Sequence, residues 1–275
     1  MICISKWINT SNLVKLEARL LLQHVCGIRH SQIITQSNRI LTIREYQILE
    51  SLKKRRQNGV PMAYILGYKE FYGRNFKVNS DVLIPRDDTE ILLEQALNLL
   101  PNNAIVWDLG TGSGILAISI KLEREDATVW ASDVSEAALE VAKANAKNLN
   151  AKNINWTQGS WYQTVSQPKK HSVDMIIANP PYIAPNDIHL SCGDLRYEPQ
   201  NALTDFYDGL SDLKQIITNA GYFLKNGASI WLEHGYNQAQ IVRELLSQTG
   251  FSQIQTIQDL AGLDRVSGGL WFNLS

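Results

Sequence analysis

Residues 179–182, Asn-Pro-Pro-Tyr, are the part of this sequence best suited to chemistry, and they end an apolar run at 173–178. Two successive prolines lack backbone N–H donors and have fixed φ angles, so they form a rigid corner rich in acceptors. Asn179 offers a side-chain oxygen, Pro180 a carbonyl and Tyr182 an aromatic face. These acceptors suit a planar carboxamide or exocyclic amino group, because hydrogen bonds from its two N–H groups aim the nitrogen lone pair at an electrophile. A lone Pro-Pro pair would indicate a stiffened loop, but this tetrapeptide at a strand end favours a catalytic role; we name it the acceptor corner.

A second motif, the glycine loop at residues 110–114 (Gly-Thr-Gly-Ser-Gly), lies between an apolar strand pattern and a helical one. Glycines at the tip of a strand let the backbone turn sharply and approach a ligand closely. The spacing differs from the G-x-G-x-x-G of dinucleotide-binding proteins, which weakens a dehydrogenase interpretation. Asp133 ends the next strand, where a carboxylate can accept both ribose hydroxyls of a nucleoside. The two features together favour a nucleotide-like ligand over a tight turn with an ordinary capping acid.

The elements that position both motifs follow from the hydrophobic periodicity. From residue 89 strands alternate with helices, which indicates an open α/β sheet. Strands are predicted at 104–108, 128–133, 154–158, 173–178, 229–233, 254–259 and 266–272. Helices are predicted at 89–100, 115–124, 135–148, 211–225 and 238–248. No helix separates the last two strands, so we expect them to pair antiparallel at the end of an otherwise parallel sheet. This strand pattern resembles the seven-stranded S-adenosylmethionine-dependent methyltransferase architecture, in which the first and fourth strands are neighbours, so we expect both motifs to face one crevice.

The N-terminal part reads differently. Residues 1–70 have helical spacing, including a capping box at Thr42 and Glu45, and predict a small helical domain. Residues 71–88 alternate around turn formers and predict a β-hairpin linker, which leaves residues 89–275 as the catalytic domain. Residues 1–75 hold 12 Lys and Arg against 4 Glu, whereas the remainder of the chain has 14 basic and 23 acidic residues. The basic surplus indicates either a surface that faces an anionic partner or ordinary solvated helix faces, and the sequence leaves both open.

The composition excludes several classes of protein. Hydrophobic residues make up 44% and charged residues 19% of the 275, which argues against a disordered or fibrous chain. No apolar run is long enough for a membrane-spanning helix or the core of a signal peptide. Cys3, Cys26 and Cys192 are far apart and odd in number, which argues against a disulfide framework and a zinc site. We therefore expect a cytoplasmic protein with no metal and no membrane association.

The two motifs together resemble those of N-methyltransferases that modify glutamine amides or adenine amino groups. More of the chain is similar to the protein-(glutamine-N5) methyltransferases specific for release factors, the PrmC or HemK family. The similarity runs through residues 64–67, 70–72, 84–90, 108–114, 179–182, 196–199 and 232–235. It implies a seven-stranded, Rossmann-like class I methyltransferase domain with a small N-terminal helical bundle and a β-hairpin linker. Asp87 differs from the family motif, but it lies at a position where that motif is variable, so the difference has little weight.

The resemblance also implies a substrate, a cofactor and their binding residues. The substrate would be the glutamine of the Gly-Gly-Gln motif in class I peptide chain release factors, docked by the helical N-terminal part. S-adenosyl-L-methionine would be held by the glycine loop, the acidic and aromatic residues beyond it and the corner: Gly110, Thr111, Gly112, Ser113, Gly114, Asp133, Trp161 and Asn179. Catalysis would rest on Asn179, Pro180 and Tyr182, and substrate binding on these with Pro181. The resemblance agrees with a monomer that does not bind nucleic acid directly.

Two other functions stay open from the residues alone. An adenine-N6 methyltransferase could seat a flipped base in the same corner, although a catalytic part with an acidic surplus and no spare recognition region argues against it. A non-catalytic binding protein is the third alternative. Residues 183–208 lack periodicity and predict a lid or binding loop, in which Arg196 and Glu198 form an ion pair or contact substrate. His234 is expected to make a structural hydrogen bond, because the chemistry does not need a general base.

Overall fold

The computed structural model describes residues 2–272 and divides the chain into two compact units, Met1–Tyr68 and Lys69–Ser275. The first unit contains five helices: α1 (Ile4–Thr10), α2 (Lys15–Cys26), α3 (His30–Thr35), α4 (Ile43–Gln57) and α5 (Met62–Leu66). Their shared core is apolar and buried: Ile4, Trp7, Ala18, Leu21, Leu22, Ile33, Leu41, Leu49 and Ile65. The predicted capping box is confirmed, since Glu45 N donates to Thr42 Oγ1 over 3.1 Å and Thr42 N donates to Glu45 Oε2 over 2.8 Å.

A β-hairpin connects this helical part of the sequence to the large sheet. Its strands are β1 (Tyr68–Phe71) and β2 (Arg74–Lys77), so it begins three residues earlier than the predicted span of 71–88. Tyr72 and Gly73 form the turn with φ angles of 50° and 72°. Positive φ at both central residues is the type I′ geometry that matches the twist of a hairpin, which explains why the turn lies here.

The large unit is built on a sheet with strand order β6-β5-β4-β3-β7-β8-β10-β9. Its strands are β3 (Ile105–Leu109), β4 (Thr128–Asp133), β5 (Ile154–Ser160), β6 (Gln163–Thr164), β7 (Val173–Ala178), β8 (Leu224–Glu233), β9 (Phe251–Gln258) and β10 (Asp264–Trp271). The antiparallel end is confirmed, because β10 runs antiparallel to both β8 and β9. The sheet has one strand beyond the seven predicted, the two-residue edge strand β6.

Helices cover both faces of this sheet: α6 (Thr89–Leu99), α7 (Ile115–Glu123), α8 (Glu136–Asn148), α9 (Ser211–Ala220) and α10 (Ala239–Thr249). The helix predicted at 211–225 was too long, because Gly221 follows its last turn and β8 begins at Leu224. Alternate residues of the central strand β3 supply the two cores: Val106 packs on one face, and Trp107 and Leu109 pack on the other. The sheet is thus buried on both faces, as parallel sheets are.

The segment from 183 to 208 contains three short 3-10 helices, Ile188–Ser191, Leu195–Tyr197 and Gln200–Ala202. Over residues 2–272, no helix is long and apolar enough to cross a membrane. Within the same range the structure forms no cluster of His, Cys, Asp and Glu side chains that could hold a metal ion.

Candidate active site

The glycine loop and the acceptor corner lie side by side at the carboxyl ends of two central strands of the sheet. β3 and β7 are parallel neighbours, and Leu109 is paired with Ala178. The next residues, Gly110 and Asn179, therefore leave the sheet together at the carboxyl ends of the strands. A cleft opens there with an empty volume of about 1090 Å³, part of which is open solvent.

The glycine loop forms the base of this cleft. Gly110 N and Thr111 N both donate to Ser132 O over 2.9 Å. Gly110, Thr111, Gly112 and Ser113 line the cleft, whereas Gly114 is not among its lining residues. Gly114 instead precedes α7 with φ at +85°, and a Cβ there would lie 2.8 Å from Ile118 Cδ1. The last glycine is therefore placed for helix packing, and the preceding four residues are placed for a ligand.

Asp133 lies at the end of β4 and faces the same cleft. Its Oδ2 accepts from Gly112 N over 2.8 Å and its Oδ1 accepts from Ser135 N over 2.9 Å. Burial raises the pKa of this carboxyl against the lowering effect of the backbone donors. Each carboxylate oxygen has a further lone pair, so Asp133 can also accept from the hydroxyls of a ligand.

Trp161 and Asp212 also line the cleft, and the Trp161 ring lies next to Gly110, where a Cβ would come within 3.2 Å of it. Trp161 Nε1 donates to Asp212 Oδ1 over 3.0 Å, which fixes the indole ring. Burial raises the pKa of Asp212. Nothing in the local sequence pattern indicates Asp212, because it is simply an acidic residue in the first turn of α9.

The acceptor corner is divided between the cleft and the protein interior. Asn179 and Pro181 line the cleft, whereas Pro180 is buried and Tyr182 packs against the apolar core on one face of the sheet. Asn179 Nδ2 donates to Thr89 Oγ1 over 3.2 Å, which leaves Oδ1 as the acceptor for a ligand. The Tyr182 hydroxyl lies 3.5 Å from Glu233 Oε1, and burial together with the Glu233 charge raises the pKa of Tyr182 well above its ordinary value.

Two buried acids and one partly buried acid near the cleft were not assigned a role from the sequence motifs. Glu233 is buried at the end of β8, and burial raises its pKa to about 7. Asp108 is buried at the end of β3, and burial raises its pKa to about 7 although Thr111 Oγ1 donates to it over 2.6 Å. Asp212 is the third, on the cleft wall. Family motifs contain Asp108 and Glu233, but their burial depends on the packed sheet and could not be read from the motif.

The ion pair within residues 183–208 differs from the prediction. Glu198 pairs with Arg86, whose Nη2 lies 2.6 Å from Glu198 Oε1, rather than with Arg196. Glu198 Oε2 also accepts from Ile84 N over 2.9 Å. The Glu198 side chain is fully buried against the segment before α6, while the Arg196 guanidinium lies over the Tyr197 ring at 5.1 Å. Since Arg86 lines the cleft, this pair ties residues 183–208 to the cleft wall.

His234 has the structural surroundings that were expected. The ring is buried, with Nδ1 lying 2.9 Å from Gly235 O and Nε2 lying 2.8 Å from Ser267 Oγ. Burial lowers the pKa of this histidine. Both ring nitrogens are engaged by the fold, so His234 is not placed to exchange protons with a ligand in the cleft.

Comparisons with known proteins agree with the two-part organisation. Residues 10–67 match the PrmC N-terminal domain, and residues 87–194 match the methyltransferase small domain. The chain is 49% identical over 264 residues to a release factor glutamine methyltransferase of Neisseria gonorrhoeae, which covers 96% of each chain. It is 44% identical over 259 residues to one of Bordetella pertussis, covering 94% of this chain and 95% of the relative. The crystal structure of a methyltransferase from Pyrococcus furiosus has a TM-score of 0.55 and 17% identity, covering 74% of this chain and 91% of that one, and shares the fold.

Proposed function

The chain belongs to the family of release factor glutamine methyltransferases, and we propose that it methylates the side-chain amide nitrogen (N5) of the glutamine in the Gly-Gly-Gln motif of class I peptide chain release factors. The methyl donor is S-adenosyl-L-methionine, and the fold is that of a class I methyltransferase. One observation carries the proposed chemistry. Asn179 Nδ2 is held by Thr89, so its Oδ1 is left as an acceptor on the wall of the cleft that the glycine loop opens.

The cleft residues fit S-adenosyl-L-methionine. Residues 110–113 would hold its methionine end, Asp133 would accept from its ribose hydroxyls and Trp161 would contact its adenine region, and all of these residues line the cleft. When bound, this group supplies an electrophilic methyl carbon on a positively charged sulfur. Because Gly114 has no side chain, α7 and α8 can pack closely next to the glycine loop.

The acceptor corner orients and activates the glutamine amide. Asn179 Oδ1 and the Pro180 carbonyl accept its two N–H groups, which returns electron density to a nitrogen whose lone pair is otherwise delocalised. The nitrogen forms a bond to the methyl carbon as the bond from that carbon to sulfur breaks. The methylated amide nitrogen then loses one proton, which is acidic enough that no strong base is required. Tyr182 and Pro181 form a rigid surface that contacts the glutamine side chain.

The helical unit is proposed to dock the release factor. Residues 1–70, with their basic surplus, form this docking domain, residues 71–88 the linker and residues 89–275 the catalytic domain. The enzyme is proposed to act as a monomer in the cytoplasm, where translation factors are found, without binding nucleic acid directly.

A labelled-methyl transfer assay tests this function. Purified release factor is offered in parallel with single- and double-stranded DNA and RNA, and mass spectrometry locates the added methyl group. We expect label on the Gly-Gly-Gln glutamine, reduced about 100-fold or more by Asn179→Ala, the usual effect of removing one oriented hydrogen-bonding group from a reacting centre. Gln240→Ala, on the exposed face of α10, is the matched control and should retain full activity. Label on adenine with none on the release factor would replace the proposal by the adenine-N6 alternative.

A further inference from the structure

The Gln238 side chain joins the acceptor corner to two other loops. Gln238 immediately precedes α10, and its Nε2 donates to Tyr182 O and to Gly209 O, each over 3.0 Å. Its Oε1 accepts from Gly235 N over 2.8 Å. Three segments that are distant in sequence therefore meet at one amide group, and both N–H donors of that amide are engaged by the protein.

The orientation of this amide is fixed by its partners. Tyr182 O and Gly209 O are backbone carbonyls, which can only accept, and Gly235 N can only donate. A flipped amide would place its oxygen against two carbonyl oxygens and its NH₂ against an N–H group. The Gln238 amide therefore has a single orientation that satisfies its partners, and in this orientation it holds the Tyr182 carbonyl.

Gly209 contacts the acceptor corner directly. Its φ is +77°, and a Cβ at this position would lie 2.4 Å from Tyr182 O and 3.1 Å from Gln238 Nε2. The carbonyl is a backbone atom, so it could not move away without shifting the corner itself. The Gly209 backbone thus packs against Tyr182 at a distance that only glycine allows.

The loop that carries Gly209 is itself anchored by a buried acid. Asp205 Oδ1 accepts from Tyr207 N and from Gly209 N, each over 2.9 Å, and its Oδ2 accepts from Ser211 N over 2.8 Å. Gly209 is therefore held through its N–H by Asp205 and through its carbonyl by Gln238. The surface against which the corner packs is a fixed one.

The acceptor corner depends on outside support because of its two prolines. Neither has a backbone N–H that could tie the corner to a neighbour. Just beyond them the backbone is tied twice, since Tyr182 O accepts from Gln238 Nε2 and Ile183 N donates to Leu203 O over 3.0 Å. The φ angles of the prolines are fixed, so a displacement of Tyr182 is passed back to Asn179 instead of being absorbed between them.

We propose that Gln238 is a positioning residue, which holds the Tyr182 backbone and thereby fixes Asn179 Oδ1 and the Pro180 carbonyl for the substrate amide. The proposal rests on the proposed function, because it takes the acceptor corner as the place where the substrate nitrogen is bound. Gln238 and Gly209 are not among the residues that line the cleft. Their effect should therefore fall on the methyl acceptor and not on the cofactor.

Steady-state methylation of the release factor provides the first test. Gln238→Met keeps the length of the side chain but removes all three hydrogen bonds. Gln238→Glu, assayed at about pH 8 where an ordinary carboxyl is ionised, keeps an acceptor for Gly235 N but cannot donate to Tyr182 O. Gln240→Met is the matched control, because Gln240 is exposed on the same helix and its Nε2 bonds only the Glu244 side chain.

We expect both Gln238 variants to lower kcat about 10- to 100-fold, the effect of misplacing a reacting group by up to about 1 Å. KM for S-adenosyl-L-methionine should stay within about twofold, and Gln240→Met should match the unmodified enzyme. An unchanged kcat in Gln238→Met would overturn the proposal. So would full activity in Gln238→Glu, because it would show that the bond to Tyr182 is not needed.

Gly209→Ala tests the same support from the other side. Its Cβ should displace the Tyr182 carbonyl and lower kcat, again with little change in KM for the cofactor. Gly193→Ala is the matched control, because Gly193 also has a positive φ, +56°, but a Cβ there meets no atom within 4 Å. Equal kcat values for the two alanine variants would contradict the role of the close contact with Tyr182.

Two measurements that do not require turnover separate positioning from general damage to the fold. Isothermal titration calorimetry with S-adenosyl-L-homocysteine should give a Kd for Gln238→Met within about twofold of the unmodified chain, and lost binding would overturn the proposal. In hydrogen exchange followed by mass spectrometry, residues 179–183 should exchange faster in Gln238→Met, while residues 105–114 should not change. Unchanged exchange at 179–183 would also overturn it. If exchange accelerates as expected while the unmodified enzyme does not methylate the release factor, the positioning role stands and the proposed substrate is wrong.

Discussion

Gly114→Ala is expected to destabilise the large unit by an amount that follows from its backbone angle and its neighbours. Gly114 has φ at +85°, and the new Cβ would lie 2.8 Å from Ile118 Cδ1 and 3.1 Å from Ala142 Cβ. A left-handed conformation costs an L-residue about 1–2 kcal/mol. The crowded contact adds about 1–3 kcal/mol, since Ala142 has no rotamer that moves its Cβ away. The loss of unfolding free energy should therefore total about 2–5 kcal/mol.

Gly112→Ala is the matched control for the backbone angle. Gly112 has φ at +55°, but a Cβ there meets no atom within 4 Å. Its cost should be the conformational part alone, about 1–2 kcal/mol. Because Gly112 lines the cleft, this variant is expected to weaken cofactor binding as well. Gly114→Ala should act mainly on stability.

Urea unfolding monitored by tryptophan fluorescence measures the difference, because every tryptophan except Trp7 lies in the large unit. Isothermal titration calorimetry with S-adenosyl-L-methionine measures the effect on binding. Combining Gly114→Ala with Ala142→Gly should recover part of the loss, since the 3.1 Å contact disappears. If Gly114→Ala and Gly112→Ala have the same unfolding free energy, the reasoning from helix packing is refuted.

Two further predictions concern buried acids. Asp108→Asn should reduce the pH dependence of the unfolding free energy. The raised pKa means that the folded chain binds the Asp108 proton more tightly than the unfolded chain does. The resulting stabilisation is complete below about pH 4 and is lost as pH rises through about 7. The Tm of Asp108→Asn minus that of the unmodified chain should thus increase from pH 4 to 7, and a constant difference would contradict this. Glu198→Gln keeps an acceptor for Ile84 N but loses the charge opposite Arg86, which is 34% exposed and partly screened. We expect faster proteolysis within residues 183–208 and weaker cofactor binding than in Arg196→Gln, and identical digestion of the two variants would rule out this role for the pair.

Much of the architecture was predictable because it depends on local patterns. The apolar runs predicted the strands of the parallel sheet. The absence of a helix between the last two strands predicted the antiparallel end of the sheet, which the structure confirms. The Thr42 capping box was recognisable because it depends on residues within one helical turn. The edge strand Gln163–Thr164 was not predicted, since two residues are too short to show a period of hydrophobicity.

The sequence by itself determined the fold class, the family and the presence of the glycine loop and the acceptor corner, because these are contiguous segments of characteristic composition. The tertiary structure alone decided which groups complete the site. Thr89 and Asn179 are 90 positions apart and form a hydrogen bond only because α6 packs against β7. Glu198 forms its ion pair with Arg86, 112 residues away, and not with Arg196, two residues away. The reason is that the Glu198 side chain is buried against the segment before α6. Burial shifts the pKa of a carboxyl, and burial is a property of the packed molecule.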